Sequence, residues 1–262
     1  MSAFEFNKFN RWAGAALSAG LLLIVLNIFG DVLFPAHHDG TSPVYLVETP
    51  DETKNAESTR RQSVIADDDA ALNQLMTEKG CAGCDLSGAD LADRNLIAHD
   101  FRGADLSKVN FTSTNLWRSN FTEANLQGAN FTGANLRDSI LTGANLTGAT
   151  LTAANLKYVN AKGSVFKGAK LDKANLLHAD LRGAALDNAD LSQSFLGHAN
   201  LQNAAISGIT TSGASFQEAN LQDTDLTDLD LTSVDLRNAK LLGSIFCRTK
   251  TAWGEINDNC AE

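Results

Sequence analysis

The chain has little of three things that many functional proteins use: polar aromatic residues, proline and positive charge. Its 262 residues include 3 Trp, 2 Tyr and 3 Pro, and 21 basic residues face 31 acidic ones, for a net charge of −10. The acidic balance argues against a nucleic-acid binder that works by neutralising phosphates. The shortage of aromatic residues, in a chain that is 44% apolar, is unusual for the core of a general-purpose enzyme.

Sequence patterns that are typical of catalysis are missing as well. The repeats contain no Ser-His-Asp spacing, no phosphate-binding glycine loop and no pair of carboxylates placed for acid–base chemistry. Cys81 and Cys84 form a Cys-x-x-Cys pair, but Asp85 stands where covalent haem attachment requires His. No second cysteine pair lies close enough in sequence for a familiar zinc site. We therefore predict no catalytic residues, no cofactor and no enzymatic activity.

Alanine, leucine and asparagine are abundant, with 37, 35 and 23 copies, because the sequence repeats every five residues. From Leu86 to Phe246, one frame without insertions gives 33 consecutive pentapeptides, and Leu or Phe occupies the framed position in 30 of them. Two residues earlier the side chain is usually Ala, and between the two stands Asn or Asp in 22 repeats. The exceptions at the framed position are Ala161, Ile206 and Thr211.

A period of five matches neither a straight helix nor a flat strand. On a helix the framed residues would spiral around every face, and on a strand they would alternate between the two faces. A chain that bends once per repeat places all of them on the same side. The remaining two positions, rich in Gly, Thr, Ser, Asp and Lys, would then form the corners. The pattern predicts an all-β solenoid whose interior is filled by Leu and narrowed by Ala.

This pattern, seen in Ala124-Asn125-Leu126-Gln127-Gly128, resembles the pentapeptide repeat protein family over residues 81–247. The resemblance implies a right-handed quadrilateral β-helix in which four pentapeptides make one coil of 20 residues. Phe101 and Phe121 are 20 residues apart, as are Phe111 and Phe131, so each pair is predicted to stack in adjacent coils.

Two places depart from the repeat. Arg94 and His99 put polar groups at inward positions near the start, where we expect an open end to keep them solvated. Residues 209–211 read Ile-Thr-Thr, with a large residue at a small position and Thr at the framed position. This predicts a local bulge or a weak coil.

An apolar segment precedes the repeats. Residues 12–34 are 23 mostly apolar residues, enough for a helix that crosses a bilayer. Lys8 and Arg11 come before it, so the positive-inside rule predicts cytoplasmic residues 1–11 and periplasmic repeats, in a single-pass protein of a bacterial inner membrane. The alternative is a cleaved signal peptide. The apolar segment ends in Leu33-Phe34-Pro35-Ala36, which lacks the small-x-small pattern of a cleavage site.

Segments on either side of the repeats are predicted to link or cap them. Residues 35–66 are polar and read as a flexible tether. Residues 67–80 are predicted to form a short capping helix, with Leu72, Leu75 and Met76 at helical spacing. Residues 248–262 are predicted to cap the C-terminal end, with Trp253 and Ile256 as the covering residues.

Two sets of residues are candidates for special chemistry. Cys81, Cys84, Cys247 and Cys260 are candidates for disulfides in an oxidising compartment. His178 and His198 are 20 residues apart at equivalent corner positions, so four-sided coiling would stack them about 4.8 Å apart. Tyr158 and Glu218 continue the same corner, and the two histidines with Glu218 make the best metal-ligand set. Two exposed polar corner residues are nevertheless the favoured interpretation, because a metal site needs three or four convergent ligands.

Charged residues are banded along the repeats, in a lysine belt and an aspartate belt. Both belts are expected to be mainly solvated surface, with a docking surface as the alternative. The belts comprise Lys157, Lys162, Lys167, Lys170 and Lys173, and then Asp223, Asp225, Asp228, Asp230 and Asp235.

These observations favour a non-enzymatic, membrane-tethered structural or protein-interaction module with an unidentified protein partner. The first alternative follows from the family resemblance, because some members mimic duplex DNA, bind DNA gyrase and protect it from quinolones. Residues 81–262 carry 20 acidic and 15 basic residues, which is a weak charge for such a mimic. The second alternative is an enzyme or redox protein that uses the cysteine pair or the histidine corner.

Overall fold

The computed structural model describes residues 71–258 and residue 260, all of which belong to one compact unit, Asp51–Glu262. The predicted cytoplasmic segment 1–11, membrane helix 12–34, tether 35–66 and the first four residues of the capping helix lie outside the described residues. Within the described part, no helix has the length and apolar character needed to cross a membrane.

The repeats form a four-sided β-helix. Isolated parallel bridges join residues 20 apart, beginning with Gly80 to Asp100 and ending with Asp225 to Ile245. The bridging residue of each pentapeptide is the one before the framed Leu or Phe, and the two following the framed residue form a turn. A coil therefore contains four pentapeptides. The predicted solenoid and its period of 20 residues are confirmed.

Framed residues fill the interior, because the chain turns once per repeat and keeps them on the inner side. Leu126 and Leu146, for example, are fully buried, as is Ala144. Phe101 stacks on Phe121 with ring centroids 4.9 Å apart and planes 8° apart, which confirms the predicted stacking of phenylalanines one coil apart. The second pair, 111 and 131, also stacks at 4.9 Å.

Asparagine recurs at the bridging position because its side chain serves both the turn and the neighbouring coil. The Asn110 side-chain oxygen accepts a hydrogen bond from the Thr112 backbone N–H at 3.1 Å, an arrangement that fixes the turn. The Asn135 side-chain amide donates to the oxygen of Asn115 at 3.0 Å, and Asn155 donates to Asn135 at 3.1 Å. These ladders support the main-chain bonds between coils.

A helix covers the N-terminal end of the solenoid, and its described part spans residues 71–78. Leu75 is fully buried, and Ala71 and Leu72 pack against the same core. Met76 is 53% exposed, so its predicted place on the apolar face is wrong. One residue after Leu75 is about 100° further around the helix, which turns Met76 toward solvent.

The C-terminal end is a small sheet rather than a cap built on an aromatic residue. Strands β1 (Asp230–Leu231), β2 (Phe246–Thr251) and β3 (Gly254–Asp258) lie in the order β1-β2-β3, with β1 and β2 parallel and β2 and β3 antiparallel. Trp253 occupies the turn between β2 and β3 and is 82% exposed, so the predicted covering role is wrong. Ile256 is half-buried on β3.

The sequence departures have different outcomes. Arg94 is exposed, whereas His99 is buried, donates a hydrogen bond from Nδ1 to the Ile97 carbonyl at 3.1 Å and stacks near Phe101. The expectation that both groups remain solvated is therefore wrong for His99. Burial of His99 is tolerated because its ring is hydrogen-bonded, as buried polar groups generally are.

Regular bridging is interrupted where the sequence predicts a weak coil. Among the described residues, 205 and 210 form no bridge to the coil that follows them, although both bridge the preceding coil. The Thr211 hydroxyl instead donates to the Asp230 carbonyl at 3.0 Å. Inside the solenoid, next to the interrupted bridges, lies a small apolar cavity that Ile209 and Phe216 help to line. We call residues 205–213 and the facing residues 225–233 the loose seam.

Candidate functional site

The four corners of the solenoid differ in the residues that they carry. The second residue of each turn has a positive φ, a conformation that glycine adopts without strain. Three corners place glycine there in two or more coils, as at Gly83, Gly88 and Gly133. The fourth corner has a side chain at this position in all eight described coils: Ala98, Arg118, Asp138, Tyr158, His178, His198, Glu218 and Asn238.

Side chains at this corner are not required by the fold. A left-handed conformation costs a residue with a side chain about 1–2 kcal/mol, and only Asn or Asp offsets this readily with local hydrogen bonds. Tyr158 has φ of 61° and Arg118 has φ of 60°, and neither residue type belongs to that group. At the other corners, glycine often occupies the same positive-φ position, so the turn itself does not require a side chain there. Both the Trp and the Tyr of the repeats, Trp117 and Tyr158, lie here. We call turn residues 117–118, 137–138, 157–158, 177–178, 197–198 and 217–218 the aromatic corner.

A ladder of rings runs along the middle of the aromatic corner. The Tyr158 and His178 rings stack with centroids 5.0 Å apart, and the His178 and His198 rings stack at 4.7 Å. His198 Nδ1 lies 3.2 Å from a Glu218 carboxylate oxygen. The coil repeat therefore brings together the residues that the sequence places at one corner, because each successive residue is 20 positions further along the chain.

Ring orientation in the ladder favours stacking over metal chelation. The planes of His178 and His198 are 11° apart, so their in-plane lone pairs point in nearly parallel directions. One ion cannot lie in both ring planes in this arrangement, whereas a zinc site needs convergent ligands. Within the described residues, no group of three or more His, Cys, Asp or Glu side chains is placed to hold a metal ion.

The N-terminal part of the aromatic corner, residues 117–158, combines aromatic rings with cations. The Trp117 indole N–H donates to the Asp138 carboxylate at 2.9 Å, and the Arg118 guanidinium lies 4.4 Å from the Trp117 ring centroid. Lys157 Nζ lies 5.1 Å from the Tyr158 ring centroid. These distances are typical of cation–π contacts. The Arg137 guanidinium adds a second cation near the same tyrosine, at 5.5 Å.

Two cationic side chains at this corner have no ion-pair partner among the described residues, whereas the central histidine of the ladder disfavours its charged form. Arg118 and Lys157 form no ion pair with any residue that the structure describes. Burial, helped by the charges of His198 and Lys157, holds the pKa of the His178 imidazole below its usual value. His178 is therefore mainly neutral at pH 7, and its ring nitrogens can serve as one donor and one acceptor.

Exposed apolar side chains flank the same corner and were missed by reasoning from the repeat. Phe195 is 57% exposed and precedes the corner, while Ile140 is 36% exposed and follows it. Both occupy the bridging position, where Asn or Asp is the usual residue. An apolar residue at that position points outward, so the break in the consensus was the signal that could have identified both.

The cysteine candidates lie at the ends of the repeats. Cys81 is bonded to Cys84 across the first turn, with Cα atoms 5.4 Å apart. Cys247 on β2 is bonded to Cys260, with Cα atoms 4.9 Å apart. The first bridge closes the first turn of the leading coil, and the second ties Cys260 to the terminal sheet.

Some charged residues in the two belts have local partners. Lys162 lies 3.3 Å from Asp180 and Lys167 lies 3.5 Å from Asp187. In the aspartate belt, Asp228 accepts hydrogen bonds from Arg248, which lower the pKa of its carboxyl group. These pairs are exposed and contribute little individually to stability. They leave the belts less charged than the sequence alone indicates.

Comparison with known proteins agrees with the architecture. Eight copies of the family description "Pentapeptide repeats" match the chain over residues 84–122, 119–157, 151–185, 179–210 and 214–250, which is more than half of its length. Among curated proteins, none matches the chain significantly.

Solved structures of pentapeptide repeat proteins are similar to the chain. A trypsin-treated variant of QnrB1, a plasmid-mediated fluoroquinolone resistance protein, is 19% identical with a TM-score of 0.53, over 62% of this chain and 88% of that one. HetL, involved in heterocyst differentiation regulation in the cyanobacterium Nostoc sp. strain PCC 7120, is 25% identical with a TM-score of 0.24, over 66% of this chain and 92% of that one. A protein of the Arabidopsis thaliana thylakoid lumen is 26% identical with a TM-score of 0.21, over 54% and 71%. The chain belongs to the pentapeptide repeat family and has its right-handed β-helix solenoid.

Proposed function

We propose that this protein is a non-enzymatic, membrane-tethered interaction module that presents the aromatic corner to a protein partner. The observation that carries the proposal is the absence of glycine from the positive-φ position of this corner in every described coil, despite the strain that the side chains there accept. Trp, Tyr and Arg are the residue types that dominate the energetics of protein interfaces. Trp117, Arg118, Arg137 and Tyr158 all lie at this corner.

A surface role suits the solenoid because its regular coils are filled. Leu, Phe and Ala side chains occupy the interior positions, and the functional side chains point outward from the turns. Small-molecule sites are usually concave pockets that enclose most of their ligand. A corner of stacked side chains offers instead an extended, solvent-facing strip, which is better suited to another macromolecule.

Membrane tethering is the part of the proposal that depends on sequence alone. The apolar segment 12–34 would anchor the protein in a bacterial inner membrane, and residues 35–66 would separate the repeats from the bilayer on the periplasmic side. A topology reporter fused after Glu262 tests this placement. Activity of a periplasm-specific reporter is expected, whereas activity of a cytoplasm-specific reporter would overturn the topology.

The interaction proposal is tested by comparing two matched substitutions in the full chain. Tyr158→Gly removes a ring of the aromatic corner, and Lys173→Gly makes the same change of backbone freedom at another corner, where Lys173 also has a positive φ. Proteins crosslinked to the wild type in intact cells should be lost with Tyr158→Gly and retained with Lys173→Gly. Equal recovery with both variants would remove the aromatic corner from consideration.

Binding to DNA gyrase as a DNA mimic remains the alternative, and no observation favours it. The likeness to QnrB1 at 19% identity concerns the fold. Residues 81–262 carry 20 acidic and 15 basic residues, and a lysine belt interrupts the acidic surface. Purified protein at micromolar concentration is expected to leave gyrase supercoiling unchanged, and inhibition or protection from a quinolone would revive the alternative.

A further inference from the structure

We propose that the aromatic corner binds an acidic α-helix of the partner, laid along the ladder of rings. This inference rests on the proposed interaction function and specifies the chemistry of the partner. It follows from three features of the corner: which part of each ring remains available, where uncompensated positive charge lies, and how far apart successive residues are.

Stacking leaves ring edges, rather than ring faces, for a partner. The faces of His178 are covered by Tyr158 on one side and by His198 on the other, at 5.0 and 4.7 Å. An aromatic ring carries partial positive charge at its edge. The exposed rim therefore combines positive ring edges with a phenol O–H and imidazole N–H groups, which are hydrogen-bond donors. Such a rim is complementary to carboxylates.

Formal charge points in the same direction. Arg118 and Lys157 have no ion-pair partner among the described residues, so each retains a charge for an incoming anion. Asp138, between them, is already engaged by Trp117 and by Arg137 at 3.3 Å. The cationic section therefore runs from the coil of Arg118 to the coil of Tyr158.

The spacing of the corner residues favours a helix over an extended segment. Successive rings are 4.7 to 5.0 Å apart. An α-helix brings side chains back to the same face about every 5.4 Å, whereas a strand does so about every 6.6 Å. A helix running along the corner can therefore stay nearly in register over three or four coils, with acidic residues at intervals of three and four positions.

Apolar residues beside the corner define the flanks of such a helix. Ile140 and Phe195 are exposed on the two faces that meet at the aromatic corner. A helix that carries an acidic stripe with apolar residues on its flanks would cover both. Duplex DNA and anionic bilayers would also supply negative charge, but their broader surfaces would meet Asp180 beside the corner as well as Glu218 at the far end of the ladder.

Fluorescence anisotropy with a designed probe tests the inference on the full-length protein in detergent. The probe is a fluorescein-labelled, alanine-based peptide of about 18 residues with Glu at three- and four-residue spacing and Leu on the flanks. One control peptide replaces Glu with Gln, and a second has the same composition with a central Pro that breaks the helix. The protein variants are Arg118→Gln with Lys157→Gln, and the matched pair Lys108→Gln with Lys173→Gln, which alters other corners.

Saturable binding of the Glu probe is expected. The corner variant and both control peptides should each weaken it by at least about tenfold, while the matched variant should stay within about twofold. Melting temperatures should be equal in the two variants, because all four substituted residues are at the surface.

Several results would overturn the inference. These are no saturable binding, equal weakening by both variants, equal binding of the Pro-containing peptide, or tighter binding of a duplex oligonucleotide or of phosphatidylglycerol vesicles. If the probe fails while Tyr158→Gly still abolishes crosslinking in cells, the interaction function stands and only the acidic helix is rejected. If Tyr158→Gly has no effect in cells, the proposed function itself fails.

Discussion

Individual residues in this solenoid have sharply different tolerances, because each repeat assigns them to the interior, to a bridge or to a corner. Framed residues are enclosed on all sides, as with Leu146, which is fully buried. Corner residues such as Gln127 face solvent. The same substitution should therefore be strongly destabilising at an interior position and nearly neutral at a corner position.

Introducing lysine at these two positions measures that difference. Leu146→Lys places an unpaired ammonium group in an apolar interior and should lower the free energy of unfolding by about 3–5 kcal/mol or abolish folding. Gln127→Lys adds the same group at the surface and should change it by less than about 0.5 kcal/mol. Chemical denaturation measures both, and similar midpoints for the two variants would contradict the assigned frame.

Protonation of His178 gives a pH dependence whose sign follows from the direction of its pKa shift. The folded state lowers the pKa of His178, so below the ordinary value of 6.5 the unfolded chain binds more protons and stability falls as pH decreases. His178→Asn keeps a residue type that tolerates the left-handed conformation and removes the titrating group. When the pH is lowered from 7.5 to 5.5, the melting temperature of the wild type should fall further than that of His178→Asn. A larger loss in the variant would contradict the assigned electrostatics.

Among the larger elements, the coils were predictable from sequence and the ends were less so. Each coil repeats one interaction, so the 20-residue spacing of Phe101 and Phe121 was enough to anticipate their stacking. The terminal sheet has no repeat to reveal it, and Trp253 was misassigned because an isolated aromatic residue in a polar tail resembles a covering residue. Tertiary contacts place it at a turn instead.

The candidate site was only partly predictable for a related reason. The sequence placed His178, His198, Tyr158 and Glu218 at one corner, since corner positions follow from counting. The orientation of the rings, which decides between stacking and chelation, depends on side-chain packing between coils. The outward apolar residues Ile140 and Phe195 break the consensus at the bridging position, a signal that an interpretation based on the consensus alone overlooks.

The loose seam should exchange amide hydrogens faster than neighbouring coils. Among the described residues, the backbone N–H groups of Ile206 and Thr211 donate no main-chain hydrogen bond to the following coil, whereas Leu201 donates to Asn220 at 2.7 Å. Native-state hydrogen exchange resolved by residue should show weaker protection at Ile206 and Thr211 than at Leu201. Equal protection at all three amides would show that the seam is closed in solution.

At the scale of the whole molecule, the disulfides relate the fold to its compartment. All four cysteines are paired, so intact protein isolated under non-reducing conditions should contain no titratable thiol. Disulfides persist in oxidising compartments such as the bacterial periplasm. Thiol titration in denaturant, before and after reduction, is expected to give zero and then four thiols. Free thiols before reduction would argue against the proposed periplasmic location.

The central claim is that one corner of four carries the interaction, and site-resolved photo-crosslinking tests it most directly. A benzoyl-phenylalanine placed in the full-length protein at Tyr158 samples the aromatic corner, and the same residue at Lys108, Ser113 or Glu123 samples the other three. All four positions are exposed and already hold a side chain at positive φ, so the backbone is equally disturbed at each. The account predicts a discrete adduct in intact cells from position 158 alone. Adducts of the same protein from the other corners, with none from 158, would contradict it.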